Sequence, residues 1–239
     1  MEAGDRATFM SLQDPADQAW CRHQRDRFDS RIWAKERGES WAMEPLPRPR
    51  VVKVELQGER AWAEVKRKQG DTKQQSVEFF RLVVDQWKHT GPDEQYWGNP
   101  QEAQTEHLRW IYRERDEEWV INLLDRGEEL YQRICDDFGL DSAQQQVTIE
   151  VVYSLDSAYL PLYPEGPILP MPSPLLVGYD DEMVESFLGS LLLNYLGVRA
   201  TGRNPSTMTE AHRTVLDAIT RREATQVLSG EWWSYQVPQ

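Results

Sequence analysis

The chain of 239 residues carries 27 Lys and Arg against 40 Asp and Glu, a formal net charge of −13. Its field therefore repels phosphate backbones and anionic lipid surfaces, which excludes nucleic acid as an expected partner. The length exceeds one average domain and suits two compact units, and ten Trp, nine Tyr and six Phe offset a hydrophobic share of only 39%, which excludes wholesale disorder.

No stretch reaches the roughly 20 apolar residues of a membrane span, so direct membrane insertion is not expected. The opening "MEAGDRATF" lacks the basic start and apolar run of a signal peptide. Taken at face value the chain is cytoplasmic; read as the soluble part of a tethered protein it is extracytoplasmic. Cys21 and Cys135 permit one bridge, although two buried free thiols is the simpler expectation.

In chain order, "QDPADQAWCRHQRDRFDSRIWAKERG" reads as a long amphipathic helix with Asp14 as N-cap, Pro15 in the first turn and Gly38 at the end. Trp20, Cys21, Gln24, Phe28, Ile32 and Trp33 make its apolar face. After "EPLPRPR" the period changes to two. Val52, Val54 and Leu56 alternate with charges, Gln57-Gly58 turns the chain, and Ala61, Ala63 and Val65 return it. A second hairpin, "SVEFFRLVVDQWKHT", is expected to turn near Asp85-Gln86.

Beyond "YWGNP" comes a strand over His107 to Arg113, then a helix striped by Val120, Leu123, Leu124, Gly127, Tyr131, Ile134 and Phe138, with Gly139 as its left-handed cap. A strand with Val147, Ile149 and Val151 on one side follows. Six prolines between 161 and 174 confine the next segment to a sheet edge or a loop, because each removes a ladder donor. "EMVESFLGSLLLNYLG" is a buried helix with Met183, Phe187, Leu188, Leu191, Tyr195 and Leu196 inward, and a last helix runs from Ser206 or Thr207 to Gly230.

The long helix, the two meandering hairpins and the terminal "VVDQWKHT" resemble the nuclear-transport-factor-two-like (SnoaL-like) cone fold. That resemblance implies a conical pocket that holds a small ligand, carries an acid–base pair, or is filled with side chains and serves for docking. Asp26, Asp85 and His89 are the candidate acid–base residues in it, set against a simpler reading as solvated carboxylates and a surface imidazole. The later order of strand, helix, strand, proline-rich edge and helix, with "LRWIYRERD" and "MPSP", is similar to the N-terminal half of a gluzincin-type (peptidase MA-like) domain, as in uncharacterised bacterial extracytoplasmic proteins. The resemblance implies a His-Glu-x-x-His helix holding zinc. Residues 182–197 contain no His, so the expectation is a scaffold without its metal.

His23, His89, His107 and His212 are dispersed and show no ligand spacing. No phosphate loop, dinucleotide fingerprint, nucleophile elbow or calcium loop appears, so neither a cofactor nor a catalytic residue is expected. Trp232 and Trp233 are candidate docking aromatics, unless they fold back onto the protein. The expected fold class is α+β: a cone-like domain over residues 5–100, with a long helix packed on a curved antiparallel sheet, and an α+β peptidase-like domain over 101–239. The expected function is non-catalytic binding, sensing or scaffolding with a protein or small-molecule ligand; the alternative is a small-molecule enzyme or binding protein using the cone pocket.

Overall fold

The computed structural model describes residues 6–36, 49–69, 72–141, 146–153, 166–178 and 181–201. The chain is a mixed α+β protein of two compact units, each built on its own four-stranded sheet. The first unit runs to Tyr96 and regains Pro174–Gly178; the second takes Trp97–Val152, Gly166–Ser173 and the helix from Asp181. The expected boundary at residue 100 thus falls near Tyr96, and the return of Pro174–Gly178 to the first unit was not foreseen from the sequence. The last predicted helix, the end of the first long helix at Gly38, Trp232 and Trp233 lie outside the described residues.

The first unit opens with α1 (Arg6–Ser11) and α2 (Gln18–Glu36). Helix α2 starts three residues later than the sequence suggested. Asp17, not Asp14, caps it, its Oδ1 accepting the Trp20 N–H at 2.9 Å, while Oδ2 accepts the Gly91 N–H. Asp14 is instead buried, accepts the Ala16 N–H and pairs with Arg81 at 2.5 Å. A buried carboxylate needs such partners, and that need outweighs its value as a cap.

Strands β1 (Arg50–Gln57), β2 (Arg60–Gln69), β3 (Thr72–Val83) and β4 (Gln86–Thr90) form an antiparallel meander in the order β1-β2-β3-β4. At the first hairpin Gly58 takes φ 61°, which a side chain would resist. The second turn sits on Val84 and Asp85, both at positive φ, one residue before the expected Asp85-Gln86. A β-branched residue in a left-handed turn is not anticipated from propensity. The outer edge of β4 is occupied by the segment before α2: Leu12 O accepts the His89 N–H, and the Asp14 N–H donates to His89 O, each at 2.8 Å. Short helix α3 (Glu94–Trp97) brings Tyr96 edge-on to Trp62 and Phe79.

The second unit has β5 (Pro100–Gln104), β6 (Leu108–Arg113), α4 (Glu117–Phe138), β7 (Val147–Val152), β8 (Ile168–Pro172) and α6 (Asp181–Thr201), while α5 (Pro174–Val177) belongs to the first. The sheet order is β5-β6-β7-β8, with β5 antiparallel to β6 and the other two pairings parallel. The parallel step from β6 to β7 is spanned by α4, the connection such a pair requires. The proline-bearing β8 takes the sheet edge, as its missing donors demand.

Period-two burial of Leu108, Trp110 and Tyr112 in β6 matches that of Val147, Ile149 and Val151 in β7. On α4, Val120, Leu123, Leu130, Tyr131, Ile134 and Cys135 are buried, and Gly139 ends the helix at φ 62° as expected. In α6, Val184 and the whole run Leu191–Gly197 are buried, whereas Met183 and Phe187 are only half-buried, a broader inward face than the sequence stripe predicted. Cys21 and Cys135 are free thiols, so the permitted bridge is not made. Among the described residues, no helix is long and apolar enough to cross a membrane.

Candidate functional site

In the first unit, strand register decides which polar groups meet. Ala61 lies opposite Phe80, Ala63 opposite Glu78, and Phe80 opposite His89, which puts Glu78, Phe80 and His89 on one sheet face beside two alanines. The small alanines leave room above the sheet for larger neighbours. His89 Nε2 lies 2.8 Å from Glu78 Oε2, and Arg67 reaches Glu78 Oε1 at 2.6 Å and donates to Ser76 Oγ at 2.7 Å. Trp20 of α2 stands edge-on to the His89 ring at 4.6 Å between centroids, and Phe80 lies at 5.3 Å from it.

Burial opposes ionisation of Glu78, but hydrogen bonds from His89 and Arg67, together with their charges, hold its pKa down at about 2. An ionised carboxylate only accepts, so Nε2 of His89 carries the proton that it shares with Glu78. This arrangement orients an imidazole and couples it to a fixed negative charge. Of the sequence candidates, only His89 enters it. Asp26 is exposed on α2 and Asp85 is exposed in the Val84-Asp85 turn, so neither serves His89 as its acid partner. Glu78 and Arg67 were missed, although a signal existed: in "SVEFF" a charged residue holds the same alternation phase as Ser76 and Phe80.

Glu78 also sets a pH dependence. Its folded-state pKa lies below the ordinary 4.5, so the stabilisation is full above that value and is lost as pH falls toward 2. The shift corresponds to roughly 3 kcal/mol as an upper bound. Glu78→Gln is therefore expected to lower stability at pH 7 by about 2 kcal/mol, with its difference from the parent protein narrowing between pH 4.5 and pH 2. Urea midpoints at pH 7, 4 and 3 check this; a constant difference across that range would contradict the assignment.

The second unit assembles another His–carboxylate pair. His107, just before β6, hydrogen bonds through Nδ1 to Glu128 Oε1 on α4 and stacks on the Tyr131 ring at 4.9 Å. Glu128 also accepts from Thr105 Oγ1, from the His107 N–H at 3.2 Å and from Gln132 at 3.2 Å. Burial opposes its ionisation, yet these donors lower its pKa from the ordinary range. Glu106 Oε1 lies 4.0 Å from His107 Nε2.

One ligand atom from each of Glu106, His107 and Glu128 falls within a 4.8 Å cluster, a set of hard oxygens and one imidazole able to hold a divalent cation. The sequence treated His107 as one of four dispersed histidines, because Glu128 lies 21 residues away and only the β6–α4 packing joins them. Both carboxylate oxygens of Glu128 already accept protein hydrogen bonds, so its role here is to hold the imidazole. On α6, Glu185 receives Arg126 at 3.4 Å and Asn194 is buried. No imidazole occurs in that helix. Burial pushes up the Cys135 thiol, which is neutral at pH 7 and a poor nucleophile.

Comparison of the chain with protein-family models, with curated proteins and with solved structures finds no match.

Proposed function

We propose that the chain is a non-catalytic binding protein, a sensor or scaffold whose ligand is another protein. In this reading the first unit is a SnoaL-like cone domain and the second an inactive peptidase-like domain, placed outside the cytoplasm. The order of long helix and antiparallel meander supports the first assignment, and the order β6-α4-β7-β8-α6 supports the second. The observation that carries the function is that the carboxylate orienting the imidazole in each cluster is itself engaged by neighbours within the protein. Glu78 is held by Arg67 and His89, and Glu128 by Thr105, His107 and Gln132. Both carboxylates are held ionised, Glu78 at a pKa of about 2 and Glu128 below the ordinary range, so neither is itself a general acid or base near neutral pH.

One observation favours a second reading. His89 is half-buried, oriented by Glu78 and set beside Trp20, which is what a small-molecule site using the cone pocket would need. A thermal-shift panel of divalent cations, lipophilic small molecules and sugars separates the two. A ligand at 100 times its dissociation constant stabilises a fold by about 2.7 kcal/mol, a readily seen shift. The interaction reading expects no response. A small-molecule response that His89→Ala abolishes overturns it in favour of the pocket.

A further inference from the structure

The two edges of the first sheet are treated differently. The β4 edge is closed by Leu12 and Asp14, whereas no strand pairs with the outer edge of β1 among the described residues. Along β1 the apolar side chains are open as well, Val52 at 42%, Val54 at 57% and Leu56 at 69% exposure. An unpaired apolar edge is a template for another strand, and proteins ordinarily blunt it. The bulge at Val52 lies toward the N-terminal end and leaves Lys53–Gln57 in regular register with β2.

We infer that this edge pairs with β1 of a second copy, antiparallel about a two-fold axis through Val54, joining two sheets into one of eight strands. The inference rests on the reading of the chain as an interaction protein. Charge selects the copy and the register. Equivalent edges can pair only residues of matching orientation, so allowed registers step by two. With Lys53 on the axis, lysine faces lysine; with Glu55 on the axis, glutamate faces glutamate. With Val54 on the axis, Lys53 faces Glu55 of the second copy, twice, while Val54 faces Val54 on the opposite side of the sheet. Lys53 and Glu55 already approach to 2.6 Å within one strand, which shows that their side chains lie on the same face. A chain of net charge −13 resists self-association over most of its surface, but Arg50–Gln57 carries Arg50 and Lys53 against Glu55 alone.

Sedimentation equilibrium of the full chain tests the pairing. The expected mass is twice 27.9 kDa. Lys53→Glu and Glu55→Lys should each weaken the dimer by about tenfold, because each places two like-charge pairs in contact. The double variant K53E/E55K should restore it, and Val54→Lys, with like charges meeting on the axis, should abolish it. All three positions lie on the edge strand, and circular dichroism checks that each of the four variants is folded. A chain that stays monomeric, or a dimer indifferent to the single charge swaps, overturns the inference. Neither result touches the non-catalytic reading, which falls only to the His89-dependent small-molecule response.

Discussion

Gly127→Val is expected to destabilise the second unit by about 3 kcal/mol, because the substituent enters a space already filled from three sides. A Cβ at Gly127 would stand 3.1 Å from Leu108 Cδ1, 3.3 Å from Leu188 Cδ2 and 3.3 Å from Trp110 Cζ2. These atoms belong to β6 and α6, between which α4 is packed, and Leu108, Trp110 and Leu188 are fully buried with no solvent to move into. Alanine at the same position gains up to about 1 kcal/mol of helix propensity over glycine, which offsets part of the crowding. Gly127→Ala should therefore be close to neutral and Gly127→Val severe. Urea unfolding followed by tryptophan fluorescence reads both. Equal effects of the two would show that the close approach of α4 does not govern this packing.

Asp116→Leu is expected to cost a similar amount, about 3 kcal/mol, for a different reason. Asp116 is fully buried at the entry to α4, and its Oδ1 accepts the Trp119 Nε1–H at 2.7 Å and the Ser173 hydroxyl at 2.9 Å. Through it the start of α4 is tied to the end of β8, 57 residues away in sequence. Leucine removes the acceptor and strands both donors, whereas asparagine keeps an oxygen and should cost about 1 kcal/mol. A double-mutant cycle with Ser173→Ala isolates the tie: the serine change should matter in the parent protein and lose most of its effect beside Asp116→Leu. Additive costs would mean that the two side chains do not act on each other.

These two residues show what a sequence conveys unevenly. Gly127 was legible as part of the apolar stripe of α4, but not as the point where three side chains converge. Asp116 lies in the charged run "RERDEE", and nothing local marks it as the buried member. His107 and Glu128 are similar: each is an ordinary polar residue until β6 and α4 pack. In the first unit Asp26, Asp85 and His89 were separate acid–base candidates; both aspartates are exposed, and the carboxylate that strand register brings to His89 is Glu78.

The local layer of the structure was therefore legible in the chain alone. Apolar repeats of two and of three to four residues placed β6, α4, β7 and α6, Gly139 ended α4, and prolines sent β8 to the edge, because each of these follows from backbone sterics and one face's burial. Folding alone set the pairing of polar groups across elements: Asp14 with Arg81, Glu78 with His89 and Arg67, His107 with Glu128, and Asp116 with Ser173. The physical reason is that a buried charge takes its partner from whichever strand or helix the register brings within reach, and register is set by the whole sheet, not by the neighbouring residues.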